Sequence, residues 1–250
     1  MNIVLENPLE RKQGGTVKTL CIISVFCLFA SVLYAQTSEK VTWDYPVRYG
    51  TPEWDGLRSY EEQLLAYNIP AEIIKKIATS ELVRICLAYP EWGVIDAFSD
   101  RRIGLYNMMS HFNGFHELLA RNDAAKELIK VYSSLEPLAI GKDWTLLQKG
   151  KHSFQINCIE LLLAHGMIID KLDDLDTQIL LDEVVLKYRQ KRQLPEVYSL
   201  WGLAPTAGLC LNILDKNESS SNNEKIISLK RTFIIEDIKE LDSFFESIKR

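Results

Sequence analysis

The stretch that decides the fold runs from His152 to Gly166 and reads His-Ser-Phe-Gln-Ile-Asn-Cys-Ile-Glu-Leu-Leu-Leu-Ala-His-Gly. It is an apolar run of helical length, and Gly166 stands where a glycine commonly follows the last residue of a helix. Two further long helices are predicted, from Asp174 to Arg192 and from Pro205 to Lys216. Because no segment shows sustained strand alternation, the sequence predicts an all-α fold.

Shorter helices are predicted ahead of these long ones. Ser59-Tyr-Glu-Glu62 has the spacing of a capping box, and Pro70 suits the first position of a helix. Thr79-Ser80 can cap the next helix, and Asn113-Gly114 separates two later ones. We therefore expect residues 59–216 to form a compact multihelical domain.

A weak internal repeat leaves a second architecture open. Glu117-Leu-Leu-Ala-Arg-Asn and Glu160-Leu-Leu-Leu-Ala-His-Gly share an apolar pattern, and Glu81-Leu-Val-Arg-Ile precedes both. Their spacing is typical of stacked helix pairs, so an α-solenoid of the HEAT or armadillo kind is the alternative. Loose matches of such common residues also arise in irregular bundles, which keeps the compact domain as the first expectation.

Residues 1–35 have the three-part layout of a secretory signal peptide. A tract with basic residues precedes an apolar run from Leu20 to Tyr34, and Ala35 precedes a polar segment. The uncharged run from Thr19 to Ala35 would be about 25 Å long as a helix, which is short of the ~30 Å hydrocarbon core of a membrane. We expect cleavage after Ala35 and a periplasmic or secreted protein. Because Leu33 occupies a position where a small residue is usual, an uncleaved inner-membrane anchor is the alternative.

Charge and cysteine content exclude several classes of protein. The chain carries a formal net charge of −5, and removal of residues 1–35 makes it more negative. This charge gives no general attraction to nucleic acid or to anionic membranes. Only Cys86, Cys158 and Cys210 remain after that removal, an odd number that is too small for a disulfide framework. We expect buried, inert thiols.

Aromatic residues dominate the segment before the helices. Residues 36–58 are expected to form an extended arm, because two prolines and a glycine between Val41 and Trp54 rule out a long helix. The rings are expected to pack on the helical body. The alternative is an exposed platform for sugars. The four aromatic residues in question are Trp43, Tyr45, Tyr49 and Trp54.

The C-terminal end supplies the candidate partner-binding residues. Residues 217–225 are polar and are expected to be a flexible linker, whereas residues 226–250 are expected to form a helix. That helix carries an apolar seam at steps of four and three. The seam is expected either to dock on the chain's own body or to bind another protein. Its residues are Ile234, Ile238, Leu241, Phe245 and Ile248.

No catalytic, cofactor-binding or metal-binding motif is found in the sequence. His111 and His116 lack the spacing of a helical metal pair, and His152 stands alone. Cys158 and His165 are about 10.5 Å apart along a helix, too far for a nucleophile and its base. The acidic run from Asp170 to Asp176 fits helix capping and does not fit a calcium loop.

The N-terminal half resembles a known group of proteins. The resemblance is carried by the arm Tyr45-Pro-Val-Arg-Tyr-Gly-Thr-Pro-Glu-Trp54, by Thr79-Ser-Glu-Leu-Val83, and by Phe112-Asn-Gly-Phe115 with the segment that follows it. These segments resemble uncharacterised secreted proteins from Bacteroidetes-type bacteria, over roughly Val41 to Tyr132. The resemblance implies a helical structure and export in a Gram-negative cell. No activity comes with it.

These observations favour an exported, non-enzymatic protein-interaction or structural domain. One alternative is an extracytoplasmic enzyme of the hydrolase kind, with a site assembled from separate helices. Convergent carboxylates or a contact between a cysteine and a histidine in a deep polar pocket would indicate that enzyme. The other alternative is a glycan-binding protein.

Overall fold

The computed structural model describes residues 41–216 and 238–248, and this part of the chain is all-helical. The predicted signal peptide, the predicted linker and Ile234 lie outside the described residues. A 3₁₀ helix spans Pro90–Ala97. The α-helices are α1 Pro52–Asp55, α2 Tyr60–Ala66, α3 Ala71–Ile74, α4 Thr79–Leu87, α5 Arg101–Ser110, α6 Asn113–Ala120, α7 Ala124–Ser134, α8 Leu146–Leu163, α9 Gly166–Ile169, α10 Asp174–Lys191, α11 Leu200–Lys216 and α12 Ile238–Ser247.

The three long helices form the centre of the fold. Helix α11 packs against both α8 and α10, and α7 packs against α8 and α10 from the N-terminal half. Helix α4 contacts α6, α7 and α8, which joins the two halves through one continuous core. The described helices range from four to 18 residues without a regular repeat. The fold is therefore a compact multihelical domain, as predicted.

The helix α8 begins six residues earlier than predicted. Thr145 accepts a hydrogen bond from the backbone N–H of Gln148, and the Gln148 side chain accepts one from the backbone N–H of Thr145. This capping box starts the helix at Leu146. The first residues are hard to recognise because Leu146 and Leu147 are 83% and 68% exposed, so they do not continue the buried face.

The prediction for Gly166 is wrong. Helix α8 ends at Leu163, and Gly166 is the first residue of α9. His165 begins the new helix, because its side chain accepts a hydrogen bond from the backbone N–H of Met167. Gly50 is the only described glycine with a positive φ, so Gly166 does not adopt the left-handed conformation of a helix-ending glycine.

Helix α11 also begins earlier than predicted, and Pro205 lies in its interior. A proline has no N–H, so the carbonyl of Trp201 loses its helical donor. The guanidinium of Arg101 replaces that donor at 3.2 Å and also lies over the Trp201 ring. A residue about 100 positions away in sequence therefore satisfies the backbone group that Pro205 leaves unpaired.

Three of the four aromatic rings of the arm contact the core, and Trp54 among them is only partly buried. Trp43 and Tyr45 are buried, and the Tyr45 hydroxyl donates a hydrogen bond to the carbonyl of Ile85. Tyr49 is 88% exposed, so the prediction of burial is wrong for this ring. The arm is not extended throughout, since the threonine at 51 caps α1. Within the described ranges, no helix is both long and apolar enough to cross a bilayer.

Candidate functional site

A groove of about 520 Å³ opens between helices α4 and α8. One wall is the face of α4 that carries Ser80, Arg84, Leu87 and Ala88. These positions recur at steps of four, three and one, which places them on one side of a helix. The groove is therefore bounded on this side by a continuous helical face.

The opposite wall is an equivalent face of α8, formed by Lys151, Phe154, Gln155 and Cys158. Their steps of three, one and three again define one side of a helix. Phe154 and Gln155 are exposed, whereas Cys158 is buried at the base of the wall. The surface between the two walls is mostly apolar, and Trp92 closes it below.

The position of Trp92 is fixed by its own contacts. Its indole N–H donates a hydrogen bond to the carbonyl of Cys86 at 2.8 Å, and its ring packs edge-on against Phe115. A buried aromatic ring with a satisfied N–H is a rigid floor for an apolar ligand. The floor of the groove is thus held by a side chain that is hydrogen-bonded to the backbone of α4.

The charged side chains that line the groove are both cationic. Arg84 donates two hydrogen bonds to Oε1 of Glu81 and one to the carbonyl of Trp43. Lys151 is exposed and has no ion-pair or hydrogen-bond partner among the described residues. The lining contains no carboxylate and no histidine. The groove therefore presents an apolar surface with two cations, of which Lys151 is the less compensated.

The cysteines do not provide an activated thiol. Cys86, Cys158 and Cys210 are free and buried, and burial raises the pKa of each thiol above its ordinary value. Such thiols stay protonated near neutral pH and are poor nucleophiles. Although Cys158 borders the groove, its thiol is not prepared for catalysis.

The histidines are placed as side chains of structural or surface type. His165 caps α9 and packs edge-on against the Tyr106 ring, and burial lowers the pKa of its imidazole. His152 lies 3.0 Å from the carbonyl of Glu136, while His111 and His116 are exposed. Among the described residues, no group of three histidine, cysteine, aspartate or glutamate side chains could hold a metal ion.

The acidic run caps a helix. Asp173 accepts a hydrogen bond from the backbone N–H of Asp176 at 2.8 Å and thereby begins α10. Lys126 lies close to both carboxylates. The hydrogen bond from the Asp176 backbone, followed by Lys126, lowers the pKa of Asp173. These contacts explain Asp173 and Asp176 as parts of the start of α10.

The most enclosed polar site is an ion pair that sequence reasoning missed. Nζ of Lys191 lies 2.8 Å from Oε2 of Glu160, and both side chains are fully buried. Thr206 and Tyr132 donate hydrogen bonds to the same carboxylate. Burial lowers the pKa of Lys191, and the neighbouring carboxylate opposes that shift. Since neither charged group is exposed, the pair joins α8, α10 and α11 from within and does not contact solvent.

The predicted seam of the C-terminal helix lies against the chain's own body. Leu241 and Phe245 are buried, and the Phe245 ring stacks on Tyr188 of α10 with centroids 3.7 Å apart. Asp242 forms a two-pronged ion pair with Arg192 at 2.7 and 2.9 Å. Ile238 and Ile248 pack at the edge of the same core. These four candidate residues are therefore occupied within the chain, which leaves the α4–α8 groove as the more accessible apolar surface.

Comparison with known proteins gives no further assignment: no protein-family model matches the chain, and neither does any curated protein or solved structure.

Proposed function

We propose that the chain is an exported, non-enzymatic interaction domain that binds a protein partner in the α4–α8 groove. The observation that carries the proposal is the pair of facing helical surfaces with an apolar floor. A groove between two helices is a common docking site for an amphipathic helix, which inserts apolar side chains at helical spacing. The support for export is the signal-peptide layout of residues 1–35 and the resemblance to secreted proteins.

The chemistry of the lining favours binding over catalysis. General acid–base or nucleophilic catalysis needs a group whose pKa is close to the working pH, or a nucleophile with an adjacent base. The ionisable groups of the lining are a cationic arginine, a cationic lysine, the Cys158 thiol and the Tyr89 hydroxyl, and burial raises the pKa of the last two. None of these combinations supplies a base and a nucleophile together.

The openness of the groove favours a macromolecular partner. Small-molecule sites enclose most of their ligand, whereas several residues of both walls are exposed here. Phe154 is 36% exposed at the rim, and Trp92 is buried beneath it. Aromatic side chains, phenylalanine among them, are enriched in protein–protein interfaces relative to the rest of the surface.

The proposal is tested by affinity capture with a matched pair of variants. Residues 36–250 are used as bait in an extract of the native cell envelope, alongside Phe154→Glu in the groove and Leu186→Glu on α10. Both replaced side chains are exposed, so both variants are expected to fold, and circular dichroism checks this. We expect one stoichiometric partner with the unmodified bait and with Leu186→Glu, and its loss with Phe154→Glu. Equal capture by all three baits, or no reproducible partner, would overturn the proposal.

A further inference from the structure

The apolar face of α8 continues beyond the groove. Leu147 lies one turn before Lys151 on the same side of the helix and is 68% exposed. Positions 147, 151, 154 and 158 recur at steps of four, three and four, as in a helix-packing stripe. This stripe is about 16 Å long, which corresponds to about three turns of a partner helix.

The centre of this stripe is a positive charge. Lys151 lies between the exposed Leu147 and Phe154, and Arg84 faces it from α4. Arg84 already shares its charge with Glu81, so Lys151 is the cation that a bound helix would cover without a partner. Covering an ammonium group with an apolar surface is unfavourable unless an opposite charge is supplied.

From this arrangement we infer that the partner segment is an amphipathic helix of about three turns with acidic residues beside its apolar stripe. The inference rests on the proposed function and adds the charge of the partner. The net charge of the chain is −5 and does not oppose it, because charges more than about 8 Å apart are largely screened at physiological ionic strength. Arg84 and Lys151, which line the groove, therefore determine which charge on the partner helix is preferred.

The inference is tested with two designed peptides of about 16 residues, long enough to form a helix. Both carry leucines at positions i, i+3 and i+7, and they differ only in flanking glutamates or lysines. Binding is measured by fluorescence anisotropy of the labelled peptides. We expect the glutamate peptide to bind about fivefold more tightly than the lysine peptide. We also expect the difference to shrink at high salt.

A charge reversal in the protein provides the decisive control. Lys151→Glu should reverse the preference between the two peptides, because it places an acid at the centre of the stripe. Lys149→Glu makes the same change in net charge two residues away, on a different side of α8. It should leave the preference unchanged. Equal binding of both peptides, or reversal by both variants, would overturn the inference.

Three outcomes separate this inference from the proposed function. Capture that depends on Phe154 but shows no preference for the glutamate peptide would overturn only the partner's charge. Dodecanoate, a small amphipathic anion, is tested as a third ligand. If it binds the unmodified protein but not Phe154→Glu, while neither peptide binds, the groove is assigned to such an anion and the inferred helix is overturned. If the Phe154→Glu bait captures the partner as well as the unmodified bait does, the proposed function itself is overturned.

Discussion

Replacing Lys191 with methionine should be among the most damaging single changes in the chain. Methionine preserves most of the volume of the side chain but removes the ammonium group that lies 2.8 Å from Glu160. The carboxylate would keep the hydroxyl donors of Thr206 and Tyr132 but would lose its counter-charge. Leaving a buried charge unpaired costs about 3–5 kcal/mol of unfolding free energy.

The paired replacement should cost much less. Glutamine at position 160 keeps an oxygen that can accept the hydroxyl hydrogen bonds of Thr206 and Tyr132, and it has no charge to leave unpaired. The double variant Glu160→Gln with Lys191→Met should therefore lose only about 1–2 kcal/mol of unfolding free energy. This is well below the sum of the losses of Lys191→Met and Glu160→Gln measured separately.

Urea unfolding followed by circular dichroism measures these losses, and an unchanged m-value shows that the comparison is valid. A Lys191→Met variant that loses less than about 1 kcal/mol would show that the pair contributes little. Additive losses in the double variant would show that the two side chains are not energetically coupled. Either result would refute the interpretation of this site as a buried ion pair.

Further predictions concern two glycines, the buried cysteines and the ion pair between Arg192 and Asp242. Gly104→Ala should lower the free energy of unfolding by about 1–3 kcal/mol, because a Cβ there would lie 2.7 Å from the backbone oxygen of Ile95. Gly150→Ala in α8 is the matched control: its Cβ would meet nothing within 4 Å, so it should raise the free energy of unfolding by about 0.5–1 kcal/mol. The described cysteines should react with a thiol reagent only as fast as the chain unfolds in urea, and rapid reaction of a native thiol would contradict their burial. Since Arg192 lowers the pKa of Asp242, the ion pair stabilises the fold above the ordinary aspartate pKa. That stabilisation is lost as the pH falls through the lowered value, so Asp242→Asn should lower the melting temperature at neutral pH, and this difference should shrink as the pH falls below the ordinary aspartate pKa.

The sequence was sufficient for the fold class because helical periodicity is a local property. The predicted segment Asp174 to Arg192 corresponds to α10, which spans Asp174–Lys191. Pro205 was misleading because a proline inside a helix is normally unfavourable. What permits it is a donor from Arg101, a contact that no local pattern contains.

The candidate site could not be predicted for a related reason. Its walls come from α4 and α8, so Arg84 and Lys151 line the same groove only after the chain has folded. One local signal was available, the Thr145-x-x-Gln148 capping box, which places Leu147 and Lys151 on the same helix as the buried run. The apolar seam of the C-terminal helix was a stronger signal in the sequence. The structure shows why it is not a free surface: Leu241 and Phe245 complete the core.

Helix α8 contributes both to the core and to the candidate site. From Ile156 onward nearly every side chain is buried, and this half carries Glu160 of the central ion pair. The half before Ile156 is mostly exposed and carries Leu147 and Phe154. Because the buried half fixes the helix axis, the exposed half is held rigidly although few neighbours cover it. A rigid apolar face loses little conformational entropy when a partner binds, so the ion pair would favour the proposed binding by holding the α8 wall of the groove in place.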